Sequence, residues 1–202
     1  MRINSISQIG FGAELVSKTS IKELDPISDT YNDVEASFVE INPKDKKDRN
    51  AVNEAVFYWE NDLYGMNISN TMEKLSEYDE DISSDKIFAM TTQKDRFWKL
   101  DPDKIKALAH VFETNKRVRV VHLQVNPEYI YVLGNPEYKY IGKGMIDSLK
   151  DKYNDRSIIL VSSDSAIKFY EKQGFEHCSD IEKRMIWNKE AEENSKYKEE
   201  YW

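Results

Sequence analysis

The sequence predicts a mixed α/β (α+β) fold: a mostly antiparallel central sheet of about six to seven strands flanked by about four helices. Three observations carry this. Arg117–Val125 is a β-prone run, and Ile105–Glu113, whose Leu108, Val111 and Phe112 fit either period, reads as a strand because Asn115-Lys116 then turns it into that run. Ser157-Ile-Ile-Leu-Val161 is fully apolar, as expected for the middle of a sheet, and has an amphipathic stretch on either side. The 202 residues, 40% of them hydrophobic and 12% aromatic, suffice for one full domain with short appendages.

The elements follow in order. Residues 1–33 are polar and weakly periodic and read as a loosely ordered N-terminal arm, leaving residues 34–189 as the domain and 190–202 as a charged C-terminal tail. Ser37–Ile41 is a short strand ended by Asn42-Pro43. Asp48 can cap a helix that puts Ala51, Val52, Ala55, Val56 and Trp59 on one face. A shorter helix starts near Ser69 and uses Met72 and Leu75, and Tyr78–Asp85 is an acidic loop. Lys86–Thr92 is a strand, and Arg96–Lys104 connects it to Ile105–Glu113. Arg117–Val125 is the clearest strand of the chain. Gly144–Tyr153 is a helix with Met145, Ile146 and Leu149 inward. Ala166–Gln173 is another, with Gly174 as its left-handed terminator. Arg184–Trp187 closes the sheet.

Charge and cysteine content narrow the function classes. With 37 acidic against 29 basic residues the net charge is −8, a poor match to nucleic acid or an anionic membrane surface. No apolar run approaches the roughly 18 residues of a spanning helix, and the N-terminal stretch lacks the apolar core of a secretory signal. Cys178 is the single cysteine, which excludes an intrachain disulfide and any cysteine-based metal cluster. His110, His122 and His177 lack metal-ligand spacing, so no metal is expected. These points favour a reducing, cytoplasmic setting.

The most informative segment is Tyr138-Lys-Tyr-Ile-Gly-Lys-Gly-Met145, which follows an apolar strand and opens a helix. Two glycines there bring several backbone N–H groups together at the positive end of the helix dipole, a receptor for phosphate oxygens. Alone the pattern is also that of an ordinary strand-to-helix turn. A P-loop is excluded because Gly144 stands where Ser or Thr must follow Lys143, and a dinucleotide fingerprint because the three-glycine spacing is absent. A local duplication precedes it: Asn126-Pro-Glu-Tyr-Ile-Tyr131 is echoed by Asn135-Pro-Glu-Tyr-Lys-Tyr140. The first copy reads as the strand end, since it follows the longer apolar alternation and the second follows Gly134.

Strand, glycine loop, helix, apolar strand and then Ala166-x-x-x-Tyr170-x-x-x-Gly174-Phe175, in that order, resembles the GNAT superfamily of N-acetyltransferases. The family loop runs Arg or Gln, x, x, Gly, x, Gly or Ala. Lys139 takes the first place here, and Gly142 and Gly144 match. Ser163 stands where many members have Asn. Val125-x-Pro127-Glu-Tyr129 resembles the end of the family's fourth strand. The likeness covers Lys86–Trp187 well and Ser37–Leu75 in outline.

The resemblance implies a GNAT-like acyl-CoA N-acyltransferase fold and transfer of acetyl from acetyl-CoA to a primary amine. It implies that the backbone N–H groups of Tyr140, Ile141, Gly142, Lys143, Gly144 and Met145 bind the pyrophosphate, with Lys139 also at the cofactor. The pantetheine arm would run beside Leu123, Gln124 and Val125, with Ser163 and Phe169 also at the cofactor. Tyr170 would protonate the leaving thiolate, a phenol being protonated at neutral pH; without the family context it reads as a core aromatic. The amine must lose a proton, and His122 and His110, with Glu113 behind, are the candidates, although a lone strand histidine is more often a packed residue. The acceptor, a small molecule or a protein, would meet Tyr58, Trp59, Glu60, Asp62 and Tyr64 on one side and Cys178–Glu182 on the other. A silent acyl-CoA sensor on the same scaffold is the alternative, and the chain is expected as a monomer or homodimer.

Overall fold

The computed structural model describes residues 12–60, 62–77, 84–130, 134–179 and 183–188. The first eleven residues of the expected arm, the expected tail 190–202 and Asp180–Glu182 of the expected acceptor wall lie outside them. The strands are β1 (Glu14–Asp25), β2 (Thr30–Ile41), β3 (Asp85–Thr91), β4 (Ile105–Glu113), β5 (Arg117–Val125), β6 (Tyr138–Lys139), β7 (Ser157–Val161), β8 (Glu176–Ser179) and β9 (Arg184–Trp187). The helices are α1 (Lys46–Tyr58), α2 (Leu63–Glu77), α3 (Ile141–Lys152) and α4 (Ile167–Lys172). All nine strands form one sheet in the order β6-β1-β2-β3-β4-β5-β7-β9-β8. Every pairing is antiparallel except β5 with β7.

Two cores cover the two faces of this sheet. On one, Phe38, Phe88, Ala107, Ala109, Val118 and Val120 pack under Met145, Ile146, Leu149 and Tyr153 of α3. On the other, Val39, Ile41, Ile87, Ala89 and Leu108 pack under Val52, Ala55 and Val56 of α1 and Ile68 and Met72 of α2. Strand β4 contributes to both, and its first seven residues are buried. Strand alternation sends neighbouring side chains to opposite faces, which is how one strand serves two layers.

The sheet is larger than the sequence suggested: β1, β6 and β8 are additional, and the longest of them, β1, lies where an arm was expected. Residues 14–33 are strand β1 and the first part of β2, a long hairpin added to the edge. Its turn is an Asx arrangement: the Ile27 and Ser28 N–H groups donate to Asp25 Oδ1 (2.8 and 3.3 Å), and Asp29 adopts a left-handed φ of 53°. Only Ile21 of β1 is buried. The strand holds its place largely by its ladder to β2, reinforced by Lys18–Glu35 and Lys22–Asp33 ion pairs.

Two helix starts also differ. Helix α1 begins earlier because Asp45, not Asp48, is its cap, accepting from the Lys47 N–H at 2.7 Å. Asp48 is buried in the first turn and accepts from the Asn42 N–H at 3.0 Å. Helix α2 begins at Leu63, six residues before Ser69, because Asp62 Oδ1 accepts from the N–H groups of Tyr64 (3.0 Å) and Gly65 (3.4 Å). Strands β4, β5, β7 and β9 span the residues expected of them. Gly174 has the expected left-handed φ of 77°.

Candidate active site

The site begins where two parallel strands part. β5 and β7 pair from Arg117–Ser157 to Val120–Leu160, and beyond that β5 runs on to Val125 without β7. A bulge sits at the parting: Val111 opposes Val120 but His110 opposes His122, so β5 carries one extra residue at Val121. Such a residue bends its strand and sharpens the twist, which carries β5 away from β7. On the far side β5 stays bonded to β4, and the Asn126 N–H donates to the Lys106 carbonyl at 2.9 Å. N–H direction alternates along an antiparallel strand, so Gln124 also bonds toward β4, while Leu123 and Val125 turn their N–H groups to the open side. Asn126 then caps the 3-10 turn Pro127–Tyr129. The first copy of the duplication thus ends β5, and the second forms β6 against β1.

The N-terminus of α3 faces this opening. Tyr140 is its N-cap in a left-handed conformation (φ 65°) with no side-chain capping bond. The N–H groups of Ile141, Gly142 and Lys143 precede the first intrahelical bond, whereas Gly144 donates to the Tyr140 carbonyl at 2.8 Å. Three donors at the positive pole of a twelve-residue helix make an anion receptor. The helix starts three residues earlier than expected, which divides the roles of the glycines. At Gly142 a β-carbon would stand 3.3 Å from Phe169 Cζ and 3.5 Å from Val125 Cγ2. At Gly144 it would stand 3.3 Å from Thr19 Cγ2 and 3.5 Å from Ile21 Cγ2. Gly142 therefore keeps the opening clear, and Gly144 lets α3 approach β1.

Between β5, β7, α3 and α4 lies a cleft of about 690 Å³. Leu123, Gln124, Val125, Lys139, Tyr140, Ile141, Gly142, Lys143, Ser163, Phe169 and Tyr170 line it together. Gly144 and Met145 do not; both are buried, with Met145 in the core under α3. Neither loop lysine holds its ammonium free. Lys139 Nζ lies 3.8 Å from the centre of the Tyr31 ring and 3.4 Å from Asn135 Oδ1, and Lys143 pairs with Asp147. The anion receptor is therefore made of backbone more than of side-chain charge. Lys172 of α4, its C-cap Gln173, and Tyr129 and Ile130 after β5 also line the cleft; none of the four is expected at the cofactor from the sequence, where Tyr129 belongs only to the strand-end pattern Val125-x-Pro127-Glu-Tyr129.

Tyr170 is 9% exposed and packs between the rings of Phe169 (5.0 Å) and Phe175 (5.6 Å). Burial, with a smaller contribution from Tyr64, pushes its pKa up to about 12. A group so placed stays protonated through the neutral range, as a proton donor must. It is both a core aromatic and a cleft residue.

On the opposite face of β5 stand the histidines. The ring of His122 lies 5.9 Å from that of Tyr64 and 5.9 Å from that of His110 on β4. His110 Nε2 is 2.6 Å from Asp85 Oδ1 on β3. His122 and Tyr64 line the cleft, and burial first, then the charges of His110 and Arg119, lowers the His122 pKa. Glu113 is not in this group: it sits at the far end of β4 and pairs with Arg156 at 3.4 Å. Of the expected acceptor wall, Trp59 is 4% exposed and belongs to the core, while Asp62 caps α2. Tyr58 is exposed and donates to Glu54 Oε1 at 2.7 Å, and Glu60 and Cys178 are also exposed. Among the described residues of that wall only Tyr64 reaches the cleft.

A solved structure from Exiguobacterium sp. 255-15, described as a candidate acetyltransferase, matches the chain with a TM-score of 0.51 at 16% identity, covering 80% of this chain and 99% of the other. The chain has the GNAT acetyltransferase fold. Two further matches are more distant. The ribosomal-protein-S18-alanine N-acetyltransferase of Escherichia coli gives 0.37 at 15% identity over 57% of this chain and 73% of its own. Nourseothricin acetyltransferase gives 0.36 at 11% identity over 88% and 85%. No family model matches the sequence, and no curated protein matches it significantly. With β1, β6 and β8 added, the sheet has nine strands, more than the expected six to seven. Among the described residues no helix is long and apolar enough to cross a membrane, and no three His, Cys, Asp or Glu side chains are grouped to hold a metal.

Proposed function

We propose that the protein transfers acetyl from acetyl-CoA to a primary amine by direct attack. The observation that carries this is the parting of β5 from β7 past Val120 and Leu160, directly before the open N-terminus of α3. A pyrophosphate fits the three free N–H groups at Ile141, Gly142 and Lys143. An extended amide-bearing arm fits beside β5, where Leu123 and Val125 offer main-chain donors. One of these N–H groups can also bind the thioester oxygen. A donor aimed at a developing oxyanion is worth about 3 kcal/mol of barrier.

The residues of the cleft divide the chemistry. The amine nitrogen attacks the carbonyl carbon, and the carbon–sulfur bond breaks as the tetrahedral intermediate collapses. Tyr170 gives its proton to the leaving sulfur, and the second proton of the attacking nitrogen replaces it. Tyr170 and His122 in one cleft support turnover over silent binding. The deciding experiment is titration calorimetry with acetyl-CoA, competed by adenosine 3′,5′-bisphosphate, followed by thiol release with a panel of amines. Saturable heat, competition by the nucleotide and amine-dependent thiol release are expected. Absence of heat overturns the assignment of the cleft.

A further inference from the structure

We propose that His122 takes the proton from the acceptor ammonium, and that His110 and Asp85 position His122 for it; this rests on the acetyl-transfer reading above. The argument is geometric. Asp85, His110 and His122 lie on three adjacent strands, β3, β4 and β5. His110 and His122 are direct cross-strand partners with ring centres 5.9 Å apart. The bulge at Val121 makes them so: in the register that holds from Glu113–Val118 to Val111–Val120, His110 would oppose Val121 and His122 would point to the other face.

The tautomers follow from the bonds. The Asp85 carboxylate is an acceptor, so a neutral His110 donates from Nε2 across 2.6 Å and keeps a lone pair on Nδ1. That Nδ1 is buried and has no hydrogen-bond partner, and so is Nδ1 of His122. A buried ring nitrogen left unmatched destabilises the fold. Pairing one with the other through one water meets both needs. His122 then donates from Nδ1 and presents Nε2 as its basic nitrogen. His122 lines the cleft, and His110, 7% exposed, does not. The assignment is therefore asymmetric: His122 meets the acceptor and His110 acts through it. The groups facing His122 are His110 with Asp85 behind it, Arg119 on its own strand, and Tyr64 of α2 with Tyr170 beyond.

The proton balance closes. An alkylammonium, with a pKa near ~10.4 in a lysine-like amine, gives one N–H proton to Nε2 of His122, and the freed lone pair forms the C–N bond. The imidazolium returns that proton to solvent after the thiol leaves. Desolvation keeps His122 neutral and ready before the step.

The test uses the full chain, acetyl-CoA and two surrogate amines: benzylamine, cationic at neutral pH, and methoxyamine, neutral there. His122→Gln should lower kcat/KM for benzylamine by about a hundredfold or more and leave methoxyamine transfer and acetyl-CoA affinity little changed. The methoxyamine rate also reports that the variant is folded. Asp85→Asn should give a smaller loss with benzylamine and move both the benzylamine pH profile and the His122 imidazole titration followed by 15N NMR. Equal losses with both amines, or a His122 titration indifferent to Asp85→Asn, overturns the proposal and leaves the transfer reading standing. Transfer by the native protein to neither amine overturns both.

Discussion

Gly142 abuts the ring of Phe169: a β-carbon at residue 142 would stand 3.3 Å from Phe169 Cζ, closer than such atoms ordinarily approach. Two positions on, Gly144 meets Thr19 and Ile21 instead. One motif thus borders the cleft with its first glycine and makes a helix–sheet contact with its second. Gly142→Glu should abolish acetyl-CoA binding, since the side chain enters the cleft and its carboxylate faces the receptor for phosphate. Gly144→Val should destabilise the fold by about 1–3 kcal/mol through overpacking and weaken binding far less. Calorimetry paired with denaturant unfolding separates the two; matched losses of affinity in both variants would refute the division.

Tyr170→Phe should reduce turnover about a hundredfold or more while acetyl-CoA affinity stays near that of the native chain. The ring still fills its place between Phe169 and Phe175, so only the proton is removed. With the Tyr170 pKa near 12, its acid form persists across the neutral range and is lost only as pH rises toward that value. Activity should therefore show no decline between neutral pH and about 10 that Tyr170→Phe removes. Steady-state kinetics across that range check this, and an unaltered rate in the variant would return Tyr170 to a packing role alone.

Much of this arrangement was legible because local signals agreed with the fold. The apolar run Ser157–Val161 became a strand with four of its five residues buried. Arg117–Val125 ended where the first Asn-Pro breaks it. The hairpin β1–β2 was not legible for a physical reason: β1 buries one side chain, so it lacks the alternation that identifies a strand. What holds it is long-range, the ladder to β2 and the contact of Gly144 with Thr19 and Ile21. The His110–His122 pair was hidden similarly. Both histidines stood among the candidates, but a single extra residue at Val121 decides whether they share a face, and nothing in the local sequence marks it. Asp85 read as the end of an acidic loop and is instead the first residue of β3.

The segment leading into α3 is tied to the hairpin by one short bond. Tyr138 Oη donates to Glu23 Oε1 at 2.6 Å, and burial together with that carboxylate drives the phenol pKa well above its usual range. Lys106 Nζ lies 4.6 Å from the same ring and 3.0 Å from Tyr129 Oη. A hydrogen bond to a charged group contributes about 1.5–3 kcal/mol, so Tyr138→Phe should cost on that order in denaturant unfolding. Because Tyr138 and Lys139 immediately precede the α3 cap, acetyl-CoA affinity should fall as well. Glu23→Gln, which keeps an acceptor, should cost less than Tyr138→Phe; the reverse order would place the stabilisation elsewhere.

Asp48 gives the fold a pH dependence of unusual sign. Its side chain is buried in the first turn of α1, where Oδ2 accepts from Asn42 and Oδ1 has no hydrogen-bond partner. Burial, joined by the charge of Asp45, outweighs the backbone N–H groups of Asn42 and Ala13 and raises its pKa to about 6. An unfolded aspartate titrates near ~3.9. Between these values the folded chain holds a proton that the unfolded chain has lost, so stability falls as pH rises from about 4 to about 6 and stays lower above that. The difference corresponds to an order of 3 kcal/mol. Asp48→Asn keeps an acceptor for Asn42 and cannot ionise. The unfolding free energy of the native chain minus that of Asp48→Asn should therefore decrease across this window and level off near neutrality, with every other titrating group cancelling in the subtraction. Urea titrations at several pH values supply both curves, and parallel curves would show that Asp48 ionises in the folded protein as readily as in water.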